Sequence, residues 1–177
     1  MSRIFEIDVS GADNFDKIIR DLNASRQHSV TASVRALNKT ALWLRTQATR
    51  QISSEKRLPQ KLIRERLRVL KASKRDLRAR VMANFMGIKA AKVGTPRQTR
   101  RGAKVKSYEF QGAFVATMPG GHTGIFKRKG KTRLPIRELY VPLEPESSKA
   151  IESFLDSRIK QRFETIFRHE LRFLMQR

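Results

Sequence analysis

Apolar positions recur along this chain with two periods, and the switches between them divide it into three stretches. Near the start, Phe5, Ile7 and Val9 alternate with Ile4, Glu6 and Asp8, the period-two pattern of a half-buried strand. Ser10-Gly11-Ala12-Asp13 then breaks the strand and offers Asp13 as a cap, so a first helix is expected over residues 14–23. Val30, Val34, Leu37, Ala41, Leu44 and Ala48 follow at alternating spacings of four and three. This seam predicts a long amphipathic helix over residues 25–54, with Arg35, Lys39, Arg45 and Arg50 on its other face.

Pro59 suits the first turn of a short helix that turns Leu62, Ile63 and Leu67 inward. From Val69 the period returns to two, and Leu77, Ala79, Val81 and Ala83 alternate with Arg78, Arg80, Met82 and Asn84. Further strands are expected over residues 105–110, 112–118 and 125–128, separated by the turn signals Pro119-Gly120-Gly121 and Gly130-Lys131. From 147 to 175 no Gly or Pro interrupts the helical stripe of Ile151, Leu155, Ile159, Phe163, Ile166, Phe167, Leu171 and Leu174.

These elements predict an α+β fold in which two long helices, over residues 25–54 and 147–175, pack on a small central antiparallel sheet carrying basic loops. One domain is expected over 1–177: an N-terminal strand and helices (1–55), a basic sheet and loop region (56–143) and a C-terminal helix (144–177). Val34, Leu37, Ala41 and Leu44 on the first long helix, and Ile159, Phe163, Ile166 and Phe167 on the second, are the candidates for helix or subunit packing. Trp43 and Phe163 fall in helical registers that point to packing rather than to stacking on bases.

Charge sharpens this division. The 177 residues hold 39 Lys and Arg against 16 Asp and Glu, a net charge of +23, and 39% hydrophobic residues are enough to build a core beneath it. Residues 1–55 hold 8 basic and 6 acidic side chains, residues 138–177 hold 7 of each, and residues 56–137 hold 24 and 3. Eight of the nine glycines lie between Gly87 and Gly130, in the same stretch. The densest groups are Arg64, Arg66, Arg68, Lys71, Lys74 and Arg75; then Arg97, Arg100, Arg101, Lys104 and Lys106; then Lys127, Arg128, Lys129, Lys131 and Arg133. Self-repulsion on this scale opposes a compact state unless counter-charge is supplied, so these groups are expected to meet nucleic-acid phosphates or acidic protein surfaces without reading base sequence. Gly94-Thr-Pro-Arg-Gln-Thr-Arg-Arg-Gly102 has the composition of a segment that orders only on contact.

Other chemistry finds little support. There is no Cys, the three His (His28, His122, His169) are scattered, and the acids of the basic stretch, Glu65, Asp76 and Glu109, do not cluster. Gly124-Ile-Phe-Lys-Arg-Lys-Gly130-Lys131-Thr132 resembles a phosphate-binding loop but places five residues between its glycines where four are required. Pro135 also stands where the following helix would form, so a basic hairpin is expected there. No enzymatic role, metal or cofactor is expected. Glu6 and Asp8 occupy the place of a leader's apolar stretch, and apolar runs such as Ala113-Phe-Val-Ala116 fall far short of the about 20 residues that span a bilayer, so no membrane partner is expected.

A long Ala/Ser/Thr-rich helix, then Arg57-Leu-Pro-Gln-Lys-Leu-Ile-Arg-Glu-Arg-Leu-Arg-Val-Leu-Lys-Ala-Ser73, Gly112-Ala-Phe-Val115, Gly124-Ile-Phe-Lys-Arg-Lys-Gly130, Arg133-Leu-Pro-Ile136 and a closing amphipathic helix follow in order. This arrangement, over residues 28–177, resembles the minor tail protein Z family of tailed phages, related to tail-completion and head-tail joining proteins. Leu139-Tyr-Val-Pro-Leu143 stands where related joining proteins often have a Gly-Pro-Ser turn. The resemblance implies a structural virion protein at the head-proximal end of the tail, made in the host cytoplasm and needed for tail completion, head-tail joining and DNA positioning. The partners it implies are further copies of the chain in a ring, expected to be a hexamer, with tail terminator or tail-tube proteins, head-tail connector proteins and phage DNA held non-specifically. The alternative from another class is a non-specific nucleic-acid-binding protein of ribosomal or nucleoid type.

Overall fold

The computed structural model describes residues 2–8, 15–21 and 25–176. In chain order its elements are β1 (Ser2–Asp8), α1 (Phe15–Asp21), α2 (Arg26–Glu55), α3 (Gln60–Arg64), β2 (Leu67–Leu70), β3 (Arg78–Asn84), β4 (Ile88–Lys89), α4 (Ala90–Val93) and β5 (Arg97–Thr99). They continue with β6 (Gly102–Val105), β7 (Tyr108–Gln111), β8 (Ala113–Thr117), β9 (Thr123–Arg128), β10 (Ile136–Glu138), β11 (Tyr140–Val141), α5 (Glu146–Ser157) and α6 (Ile159–Met175). The fold is α+β, but the strands form four small antiparallel sheets rather than one: β1-β3-β2, β5-β6-β7, β10-β9-β8 and the pair β11-β4.

Helix α2 is the axis of the molecule. Ser25 caps its start by accepting from His28 N at 3.3 Å. At its end Arg57 takes a left-handed φ of 48°, Arg57 N donates to Ser54 O and Leu58 N donates to Ser53 O, so a Schellman turn closes the helix just before Pro59. The buried face is wider than the expected seam. Ser29, Ala32, Ser33, Ala36 and Thr40 join Leu37, Ala41, Leu44 and Ala48 inside, while Val30 and Val34 are only partly covered. Ser29 and Ser33 can be enclosed because their hydroxyls donate back to carbonyls one turn earlier, to Ser25 O at 3.0 Å and Ser29 O at 2.7 Å. The buried Thr40 hydroxyl finds no such partner among the described residues; all three side chains are small. Their size lets α6 approach closely, and the two helices form the most extensive helix contact in the structure.

Alternation accounts for the sheet on which α2 rests. Ala79, Val81 and Ala83 of β3 are fully buried, and Phe5 pairs with Val81 and Ile7 with Ala79 across β1. The expected first helix is present as α1; its outer residues 14, 22 and 23, with the expected cap Asp13, lie outside the described residues. The helix after Pro59 ends at Arg64, and Leu67 belongs to edge strand β2, paired with Ala83.

The C-terminal stretch is two helices, not one. Arg158, at φ −114° and ψ −20°, interrupts the helix without a Gly or Pro, leaving α5 and α6 to settle separately against α2. Phe163 and Phe167 stack at 5.8 Å with their planes 12° apart, both buried, while the Trp43 ring meets Phe154 edge-on at 6.0 Å. Ile159, like Leu171, is buried in the same core, and Ile166 is partly buried against it.

The strand expected over 105–110 is instead a hairpin. Val105 pairs with Tyr108, and Lys106 turns the chain at a φ of 49°. The Gly94–Gly102 stretch, expected to order on contact, carries β5, which pairs with β6 from Arg97↔Lys104 to Thr99↔Gly102. Its polar composition hid the strand, because the pairing is supplied by a hairpin partner rather than by an apolar pattern. The hairpin expected in place of a phosphate loop is formed by β9 and β10, joined by Lys129 N donating to Pro135 O at 3.0 Å.

Candidate functional site

Thr99 opposite Gly102 leaves a two-residue turn, so Arg100 and Arg101 form the tip of the β5–β6 hairpin. Lys127 and Arg128 end β9, and Lys131 lies in the connection that follows. Far apart in sequence, these two groups face each other across a shallow groove of about 560 Å³ whose floor is Gln98, Gly102, Gly112, Ala113 and Phe114. All five cations are exposed except Lys127, which is half-buried. The Arg128 guanidinium lies 5.7 Å from the Phe114 ring centroid, an approach that holds its fork at the rim.

A single side chain pins the two sheets that make the groove. Gln98 Nε2 donates to Gly102 O at 2.8 Å within its own hairpin, while Gln98 Oε1 accepts from Val115 N at 2.9 Å on β8. Gly112 N also donates to Arg101 O at 2.9 Å, fixing the chain that leads from β7 into β8 against the arginine tip. Glycine is required at Gly102: its φ is +156° and an added Cβ would stand 2.1 Å from Phe110 O. At the other end of this hairpin the Tyr108 hydroxyl donates to Lys56 O, tying the basic region to the end of α2.

Carboxylates are concentrated away from the groove. Glu6 and Asp76 engage Arg78 and Arg80 on the first sheet, Glu138 engages Lys89 at 2.7 Å, Glu146 engages Lys56 at 2.7 Å, and Glu170 engages both Lys39 and Arg35. Burial pushes the Glu170 carboxyl up, but the Lys39 and Arg35 charges outweigh it and hold it below its ordinary value. Among the described residues, Lys104 alone of the sixteen candidate cations has a carboxylate within 4 Å. That partner is Glu109 at 2.8 Å, whose own carboxyl is lowered by the Lys104 hydrogen bond. Cross-strand pairing adds repulsion, since Arg97 stands opposite Lys104 on β5 and β6, and Arg137 opposite Lys127 on β10 and β9. Like charges placed directly opposite are unfavourable by up to about 1 kcal/mol. The fold therefore holds cations together here and leaves their neutralisation to something else.

The remaining candidates lie elsewhere. Arg97 and Lys104 are on the outward face of the β5–β6 hairpin, opposite to the buried Ala103 and Val105, and Lys106 is in the turn between β6 and β7. Lys129 and Arg133 are exposed in the β9–β10 connection. Arg64, Arg66, Arg68, Lys71, Lys74 and Arg75 follow α3, edge strand β2 and the loop after it, a stretch anchored to α2 by Ala72 N donating to Asn38 Oδ1 at 2.7 Å. This second basic surface belongs to the first sheet. Sequence reasoning missed Gln98, whose role is visible only once β5 and β8 are neighbours, and Glu170, which periodicity reads as one more polar helix position. Among the described residues no three of His, Cys, Asp and Glu come together as metal ligands, and no helix is long and apolar enough to cross a membrane.

Residues 11–177 match the model of a family described as prophage minor tail protein Z (GPZ), a stretch that includes the whole groove. The chain is 27% identical over 140 residues to a tail completion protein of Escherichia phage N15, covering 72% of this chain and 76% of that protein. It is 25% identical over 169 residues to tail completion protein Z of Escherichia phage lambda, covering 82% of this chain and 88% of that protein. No solved structure matches the chain significantly.

Proposed function

The chain belongs to the prophage minor tail protein Z family, and from that membership we propose that it is a structural virion protein that completes a phage tail. It acts at the head-proximal end as one subunit of a ring around the DNA path, and it serves head-tail joining and DNA positioning. What carries this reading is the family match over nearly the whole chain, with relatives from two phages named for tail completion. The electrostatics support it. A ring of about six copies multiplies every exposed cation around one axis, and such a field holds a polyanion without selecting its sequence.

Purified particles test it. A tagged copy complementing a phage that lacks the gene should be found in tails at about six per particle, labelled at the head-proximal end. Tails made without it should fail to give infectious particles. Arg100→Glu with Arg101→Glu should leave the subunit folded and lower the infectious yield. Absence of the tagged chain from particles, with recovery on host ribosomes or nucleoid, would overturn the reading in favour of a host-type nucleic-acid binder.

A further inference from the structure

We infer that the groove between the β5–β6 tip and the end of β9 is a preformed seat for one phosphodiester strand of DNA, built from Arg100, Arg101, Lys127, Arg128 and Lys131 and shaped by Gln98. The inference rests on the tail-ring reading for its DNA and assigns the contact to one surface out of several basic ones.

Three observations carry it. The five cations converge on a concave surface from two hairpins and have no carboxylate within 4 Å among the described residues. Three of them are arginines, whose planar forks match phosphate oxygens in pairs. The floor runs over Gly102, Gly112 and Ala113, flanked by Gln98 and Phe114. Gly112 has no side chain, and a Cβ there would already touch Lys127 Cε at 3.7 Å, so a phosphate backbone can lie close to both. An acidic protein partner fits less well. Protein interface cores are depleted in charge and particularly in lysine, and this lining offers one aromatic ring, already covered by Arg128. No base edge needs to be read, since every lining cation would meet phosphate. The basic surface along β2 is the edge of a sheet, and the groove beside it, lined by Arg26, Gln27, Val30, Thr31 and Lys74, gathers only Lys74 of its six candidate cations; they contribute to the general field.

Salt dependence separates a seat from a coat. With full-length protein and fluorescein-labelled 30-base-pair duplexes of two unrelated sequences, log Kd against log salt should have the same slope for both duplexes. Arg101→Gln and Lys127→Gln should each lower that slope by about 0.9, the loss of one phosphate contact. Arg64→Gln and Lys71→Gln should change it by much less. Gln98→Ala keeps every charge but unpins the hairpins, and should weaken DNA binding about tenfold while the melting temperature shows the chain still folded. Equal slope changes from groove and β2-edge substitutions, or unchanged binding by folded Gln98→Ala, would overturn the seat in favour of diffuse attraction. Competition by polyglutamate as effective as by DNA of equal charge would overturn it in favour of an acidic protein partner. Either failure leaves the tail-completion reading standing, because that is read from particle composition and infectivity.

Discussion

Glu170 on α6 is enclosed and held by Lys39 and Arg35 from α2, whereas Arg100 and Arg101 at the β5–β6 tip stand in water with no carboxylate near them among the described residues. The contrast is between the α2–α6 contact and the groove, since Arg78, Arg80 and Lys89 elsewhere in the basic stretch are ion-paired as well. The helical half pairs Glu170 with Lys39 and Arg35 across α6 and α2 and closes over a core of Leu37, Leu44, Ile151, Phe167 and Leu171. The basic half lines up Arg97 with Lys104 and Lys127 with Arg137 and shields neither pair fully. In one half charge is a means of joining helices; in the other it is held in place by backbone pairing and presented outward. Stability and cationic function are thus carried by different parts of the chain and should be separable by substitution.

The largest expected effect is in the helical half. Phe167→Ala removes a fully buried ring stacked on Phe163 and should cost about 3–5 kcal/mol in urea unfolding, with little change in DNA affinity beyond the loss of folded protein. Glu170→Gln should cost about 2 kcal/mol at pH 7, because two cations lose a charged acceptor. Its pH dependence has a defined sign. Since the folded carboxyl titrates below its ordinary value, its contribution is complete above the unfolded pKa of about 4.3 and is lost as pH falls through the lower folded value. The gap between wild type and Glu170→Gln should therefore close below about pH 4.

Effects in the basic half should be smaller and opposite in sign. Arg137→Gln relieves the repulsion on Lys127 and should raise stability by about 0.5 kcal/mol at low salt, a gain that disappears in high salt while DNA affinity falls. Glu109→Gln, which frees the exposed Lys104, should leave the melting temperature unchanged and slightly strengthen DNA binding. If Arg137→Gln destabilised the protein as much as Glu170→Gln, the division between a charge-pairing half and a charge-presenting half would fail.

Particular elements show where reading the chain worked and where it did not. The long helix was legible because one face is apolar or small through its length, and α2 spans Arg26–Glu55 against an expected 25–54. The central strand of the first sheet was legible from its alternation. The break at Arg158 was not, since no Gly or Pro marks it and the stripe continues through it. Strands β4, β5, β10 and β11 are two or three residues long and carry too few positions to show a period; neighbours hold them in place.

The candidate site divides along the same line. That the excess charge lies between residues 56 and 137, on a glycine-rich stretch, is a matter of composition and could be read directly. Which five of sixteen cations share a groove depended on Gln98 reaching Val115 and on the two hairpins meeting. Likewise Lys39 and Glu170, 131 positions apart, become partners only when α6 lies on α2. Period and charge density are properties of neighbouring residues, so the linear order of residues already contains them. Convergence of distant side chains follows from how preformed elements pack, and no local pattern along the chain encodes it.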